Sequence, residues 1–308
     1  MKNPIVNSPK VHSPNKKEIP AGFMKKIRRI EMKTKKLVEE IFSGNYKSVF
    51  HGRGLEFEEV REFTQGDDVK YIDWNVSART QELFVKVFRE ERELTLFLAV
   101  DISGSTDLGS NERSKREIMA EVASILAFSA IRNSDKVGLV LFSDGIEKIV
   151  DPRKGKPHVL RIIREILYHE PKSKKTNINA CFNFLNNVVR RNSFVFMISD
   201  FMDNGYEKNM KIAAQRFDLV PILAIDEREL ELPNVGVVAL EDGETGEVVE
   251  VDTSSAQIRE LFAEKQKERI FKLKQNFTRA GMDCVELRSK QNYIHALQTF
   301  FLKRLERK

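Results

Sequence analysis

Strands alternating with helices over residues 94–290 predict an α/β domain built on a doubly wound, mostly parallel sheet. Two observations carry this reading. The apolar runs LTLFLAV (94–100) and SFVFMIS (193–199) are continuous rather than alternating, as strands covered on both faces are, and each runs straight into an aspartate, Asp101 and Asp200. Between such runs lie segments of ten or more residues with apolar side chains at helical spacing, long enough for parallel crossovers.

The elements follow in chain order. Residues 1–20, rich in proline and polar side chains, read as a disordered tail. Residues 21–93 read as a basic helix followed by a small β-rich subdomain. GFMKKIRRIEMKTKKLVEEIF (22–42) spaces Phe23, Ile27, Ile30, Leu37 and Ile41 helically among lysines and arginines. GLEFEEVREF and ELFVKVFREE then alternate apolar and polar residues as half-buried strands do. Between them, Asp67, Asp68, Asp73, the single tryptophan Trp74 and Arg79 fall in a loop-rich stretch. There the favoured reading puts Trp74 in the core and pairs Arg79 with Asp73 or Asp68; the alternative makes the block a docking surface for a partner or for another part of the chain.

From residue 94 the α/β pattern begins. A helix over 112–133 places Ile118, Val122, Ile125, Leu126 and Ser129 on one face. KVGLVLF (136–142) and IEKIV (146–150) are strands joined by Ser143-Asp144-Gly145, a hairpin signal. KPHVLRIIREILYH is helical, with Pro157 tolerated in its first turn. A basic loop, EPKSKKTN, leads to a helix over 179–190. After SFVFMIS come a helix over 207–216, the strand LVPILAI (219–225), a hairpin in 235–252 and a charged helix over 255–281. The strand DCVELR (283–288) and a C-terminal helix within 291–308 close the chain.

In a doubly wound sheet, ligands bind outside the carboxyl ends of the strands. Asp101 and Asp200 are each placed there by topology. Residues i, i+2 and i+4 after a strand can project to one side, so Asp101, Ser103 and Ser105 form a crescent, with Gly104 allowing a tight bend. Thr176 stands at the front of the helix that starts near Asn177. Two carboxylates and three hydroxyls, without sulfur or imidazole, are a donor set for a hard divalent cation, Mg²⁺ above all, with Mn²⁺ or Ca²⁺ as alternatives. The competing reading is structural: Asp and Ser are frequent turn and N-cap residues, and Thr176 can cap its helix. Asp203 is either a supporting acid or a helix cap.

These residues carry a resemblance. DISGS (101–105) with Thr176 and Asp200 resembles the metal-ion-dependent adhesion site of von Willebrand factor A domains. The stretch REFTQGDDVKYIDWNVSARTQELFVKVFREERE (61–93) resembles the signature of the bacterial domain of unknown function 58 family. The likeness spans roughly residues 45 to 290. It implies a von Willebrand factor A-like domain over 94–290 and Mg²⁺ held by Asp101, Ser103, Ser105, Thr176 and Asp200. It also implies a non-enzymatic adaptor role beside a MoxR-type AAA+ ATPase, with a partner's acidic side chain completing the metal shell. The chain departs from the pattern at Lys175, beside Lys172 and Lys174, where such proteins often have glycine before the threonine. It has a basic helix where many members have N-terminal membrane helices.

Bulk properties limit the alternatives. The 308 residues carry a net charge of +6, but residues 1–50 hold +8 and the remaining 258 sum to −2. This distribution argues against a uniformly nucleic-acid-coated domain, while residues 22–36 remain a candidate anionic-surface or nucleic-acid contact. Two cysteines, Cys181 and Cys284, suit a reducing cytoplasm. No apolar run of signal-peptide or membrane-spanning type is found, so the expected location is cytoplasmic, with peripheral membrane contact through the basic segment as the variant. The five histidines are scattered without ligand spacing. No P-loop, zinc-protease or nucleophile-elbow motif is present. One enzymatic alternative stands, a Mg²⁺-dependent phosphohydrolase using Asp101; against it, the position where such enzymes carry a second acid holds Ser103.

Overall fold

The computed structural model describes residues 27–32, 34, 55–90, 94–106, 114–191, 193–241, 248–289 and 293–307. The tail expected at 1–20, the basic stretch beyond residue 34 and the turn of the hairpin in 235–252 lie outside the described residues. Ten strands and seven longer helices are labelled in chain order among those described. β1 (Leu55–Glu62), α1 (Trp74–Thr80) and β2 (Phe84–Glu90) precede β3 (Thr95–Asp101), α2 (Lys115–Arg132), β4 (Lys136–Phe142), β5 (Ile146–Arg153) and α3 (Lys156–Tyr168). Then come α4 (Ile178–Val188), β6 (Phe194–Ser199), α5 (Glu207–Arg216) and β7 (Asp218–Ile225). β8 (Val237–Glu241), β9 (Val248–Asp252), α6 (Ala256–Arg279), β10 (Val285–Arg288) and α7 (Tyr293–Glu306) complete the set.

Six strands form the central sheet in the order β10-β7-β6-β3-β4-β5. All neighbours are parallel except β4 and β5, which form the antiparallel hairpin that Ser143-Asp144-Gly145 announces. The continuous apolar runs are explained by their place: β3, β4 and β6 lie inside the sheet and are covered on both faces. Alternation then sorts the side chains. Leu96, Leu98 and Val100 of β3 face a core shared with α2, α3 and α7, whereas Phe97 and Ala99 face a second core with α4, α5 and α6. β3 is in register with both neighbours, Ala99 lying opposite Val140 and Met197. Gly138 is needed where β4 passes the Phe97 ring: a Cβ there would stand 2.8 Å from a ring carbon and 3.0 Å from Pro152.

Helix starts follow their caps. Ser114 accepts from Glu117 N–H, Asn177 from Ala180 N–H and Ser255 from Ile258 N–H. α2 is buried on nearly all sides, so its predicted face of Ile118, Val122, Ile125, Leu126 and Ser129 is only part of what it covers.

Residues 27–32 and 34 are helical, as the spacing predicts. Ile27, Ile30 and Thr34 are buried, Ile30 inside the first core, and Glu31 pairs with Lys156 at 2.5 Å. Arg28 and Arg29 face solvent. β1 and β2 form the small antiparallel sheet. Two expectations there are corrected. Trp74 is not in the core: it opens α1 and is 65% exposed, because Asp73 takes the cap position and turns the next side chain outwards. Arg79 is not the partner of the nearby acids. Asp73 pairs with Lys86, Asp68 with Lys70, and Asp67 makes a two-pronged contact with Arg61. Lys70 lies two residues from Asp68, and the bridge between Ile72 and Val85 brings Lys86 beside Asp73. Among the described residues no helix is long and apolar enough to cross a membrane.

Candidate functional site

The sheet reverses its strand order between β3 and β6, the switch point at which the two halves wind away from each other. Asp101 ends β3 and Asp200 follows β6 directly. Both carboxylates are therefore brought to one crevice, and both are essentially fully buried. Ser103 and Ser105 are buried beside them.

The loop after β3 is organised by Asp101 itself. Its Oδ1 accepts the Ser103 N–H at 2.9 Å, which curls the chain back so that Ser103 Oγ and Ser105 Oγ lie 3.2 Å apart. The Thr106 hydroxyl closes the turn on Ser103 C=O at 2.7 Å. Gly104 opens a short 3-10 turn and does not adopt positive φ. It is the Gly104 N–H that matters, donating to Lys174 C=O at 2.8 Å. The expectation of a glycine-dependent bend is thus corrected: the Asp101 carboxylate makes the turn.

Asp200 is aimed by strain. Phe201, the next residue, sits at φ 54°, a left-handed conformation that a bulky side chain rarely adopts. Its N–H donates to Ser199 Oγ at 3.0 Å and the ring is buried in the second core. Ser105 supplies a hydrogen bond to the Asp200 carboxylate, and Met202 N–H another at 3.1 Å. Four of the five predicted residues, Asp101, Ser103, Ser105 and Asp200, therefore form one connected group.

Thr176 reaches the rim through its loop. Lys174 C=O takes the Gly104 N–H, and Asn177 N–H donates to Ser143 C=O at 2.7 Å. These two anchors tie the loop carrying the half-buried Thr176 to the residues just after β3 and β4. Asp203 proves to be a cap, but of another helix: its Oδ2 accepts the Ile178 N–H at the start of α4, at 2.8 Å. Lys172 and Lys175 are exposed beside this loop, and Lys172 N–H donates to Glu147.

Three residues join the site without a sequence expectation. Ser199 donates from its hydroxyl to Asp101 Oδ2 at 2.6 Å. Its signal was a lone hydroxyl ending an apolar strand immediately before Asp200. Lys115, the first residue of α2, is buried and places Nζ 2.8 Å from Asp200 Oδ2 and 2.5 Å from Glu229 Oε1. Glu229 lies in a short 3-10 turn after β7, where it also closes a capping box with Asp226. No local pattern announces a contact across 85 and 114 residues.

The electrostatics follow from burial. Loss of solvent, reinforced by the neighbouring Asp200 charge, pushes the Asp101 carboxyl up to about 7. Burial acts on Asp200 too, but the Lys115 ammonium outweighs it and holds that carboxyl below its usual range. Burial raises Glu229. Asp101, Asp200 and Glu229 set against Lys115 leave two negative charges unmatched when all are ionised, the complement of one divalent cation. The donor atoms around Ser103 and Ser105 are all oxygen, which suits a hard cation that keeps part of its water shell. Among the described residues no three His, Cys, Asp or Glu side chains gather as a metal cluster, so hydroxyls have to complete any such shell.

The fold and site can be set beside known proteins. An uncharacterized protein of Mycobacterium tuberculosis is 27% identical over 281 residues, 90% of this chain and 88% of its own length. Among solved structures, an aerotolerance-related membrane protein from Bacteroides fragilis aligns at TM-score 0.46 and 15% identity, over 70% of this chain and 100% of that one. The SpRpn10 VWA domain aligns at TM-score 0.36 and 11% identity, over 66% and 93%. The model of the family described as "Protein of unknown function DUF58" matches residues 59–270, more than two thirds of the chain, and the chain belongs to that family.

Proposed function

We propose that this protein is a binding module in which Asp101, Ser103, Ser105, Thr176 and Asp200 hold a divalent cation, Mg²⁺ in the first place, and offer it to an acidic side chain of a partner protein. One observation carries the reading. Two serine hydroxyls 3.2 Å apart are buried between two buried carboxylates at the switch point of the sheet. Uncharged hydroxyls leave an ion short of negative charge, so an incoming carboxylate is a natural further ligand. The bound cation supplies electrostatic attraction at that point. The chain supplies its position: Ser199 and the Ser103 N–H fix Asp101, and the strained Phe201 fixes Asp200.

The partner system suggested by the family resemblance includes a MoxR-type AAA+ ATPase, with this protein as an adaptor in remodelling or complex assembly. That assignment rests on the likeness of residues 61–93 and of the DISGS block, not on the site's geometry.

The test is thermal unfolding of the full chain with and without Mg²⁺. Ligand that binds only the folded state raises the melting temperature as its concentration passes the dissociation constant. The wild type is expected to show the shift and Asp101→Ala to lose it. Equal shifts in both proteins would remove the site.

A further inference from the structure

A lysine is an unexpected tenant for this crevice. Lys115 is the first residue of α2, where the positive end of the helix dipole opposes a cation. Its side chain is 2% exposed, so the ammonium has also lost its water. Two carboxylates from separate elements compensate, Asp200 after β6 and Glu229 after β7. A structural latch alone does not require the acid that is also a predicted metal ligand.

We infer that Lys115 is a tethered competitor of the divalent cation, a built-in ammonium that draws on Asp200 and so keeps the site's metal affinity low. The inference rests on the metal reading above and adds its regulation. One oxygen of Asp200 faces Lys115, so an ion beside Ser103 and Ser105 shares this carboxylate with a positive charge a few ångströms away. Like charges at that range in a dry crevice repel strongly. An ion held so loosely gains most from an additional carboxylate, which ties metal retention to the arrival of an acidic partner. Glu229 moderates the effect by drawing the ammonium away from Asp200 and by adding a negative charge to the neighbourhood.

The experiment uses the full chain and Mn²⁺ alone as the probe. Binding is read from the paramagnetic enhancement of water-proton relaxation, and folding from circular dichroism with a urea midpoint. Lys115→Met is expected to bind Mn²⁺ about 10- to 100-fold more tightly than the wild type, the scale on which one neighbouring charge shifts an ionic equilibrium. Lys115→Arg keeps the charge and is expected to stay near the wild-type affinity. Glu229→Gln is expected to weaken binding about tenfold, for the same reason with the opposite sign. A purely structural latch instead lowers the stability of Lys115→Met and Glu229→Gln with Mn²⁺ affinity unchanged, and that result overturns the inference. If Lys115→Met does not fold, an unchanged affinity in Glu229→Gln overturns it alone. Failure of the metal reading has its own signature: wild type and Asp101→Ala then respond to Mn²⁺ identically.

Discussion

The hydroxyl of Ser199 donates to Asp101 Oδ2 at 2.6 Å, joining the ends of the two strands that flank the switch point. The contact is fully buried, and Ser199 Oγ in turn accepts the Phe201 N–H, so one serine ties the turn carrying Asp200 to the carboxylate of Asp101. Ser199→Ala removes that link. It leaves a buried carboxyl oxygen and a strained N–H each one partner short, a loss of about 1–3 kcal/mol. Urea denaturation should show this in the midpoint without a change in slope. An unchanged midpoint would mean that the hydroxyl is dispensable to the crevice.

Asp203 holds the start of α4, the helix that follows Thr176. Its carboxylate accepts the Ile178 N–H, one of the donors that a helix start cannot satisfy internally. Asp203→Ala is expected to cost about 0.5–2 kcal/mol. Amide exchange should quicken in the first turn of α4 and in residues 172–177, and leave α2 unaffected. Uniform acceleration across the sheet would show instead that Asp203 supports the domain as a whole.

How much of this was legible beforehand depended on range. The interior strands announced themselves because burial on both faces leaves no polar alternation, and Asp101 and Asp200 stood out as the points where those runs stop. Topology then required only that the two strands be neighbours. The lysine was hidden for the opposite reason. Lys115 looks like any basic residue in a helical first turn, and its partners lie far along the chain and on different elements. Trp74 misled because a single tryptophan is usually read as core, whereas the cap at Asp73 fixes the direction of the next side chain. The turn at Gly104 misled because hydrogen bonding to Asp101, rather than freedom of φ, bends the chain there.

Trp74 gives a direct check on that correction. The indole is 65% exposed at the head of α1. As the only tryptophan, it should emit as solvated indole in the folded protein, with little further red shift on unfolding. Trp74→Ala should change stability by less than about 0.5 kcal/mol, as surface substitutions do. A large blue shift in the native spectrum would put the ring back in a core.

Gly138 tests how tightly the centre of the sheet is packed. An alanine Cβ would fall 2.8 Å from the Phe97 ring, and that ring is packed in the second core. Alanine gains some strand stability over glycine, but the overlap dominates, and Gly138→Ala is expected to lose about 1–3 kcal/mol. Pairing with Phe97→Leu, which removes the obstructing edge, should recover part of the loss as a coupling energy of about 0.5 kcal/mol or more. Additive effects would place the strain elsewhere.

Glu286 predicts how stability responds to acid at the far edge of the sheet. Its carboxylate on β10 meets Lys274 of α6 and, at 2.5 Å, Arg288 Nε. Partial burial pushes this carboxyl up, but the two cations outweigh burial and hold it below its ordinary value. A carboxyl depressed in the folded state stabilises fully above its unfolded value of about 4.3, and that contribution fades as pH falls through the folded value. Glu286→Gln should therefore be less stable than the wild type at neutral pH, and the gap should narrow as the pH is lowered below the unfolded value of about 4.3. Half of the clasp is solvent-accessible Lys274, so salt should narrow the neutral-pH gap as well. A gap that stays constant from neutral pH down to about 3 would show that the glutamate acts through packing and not through its charge.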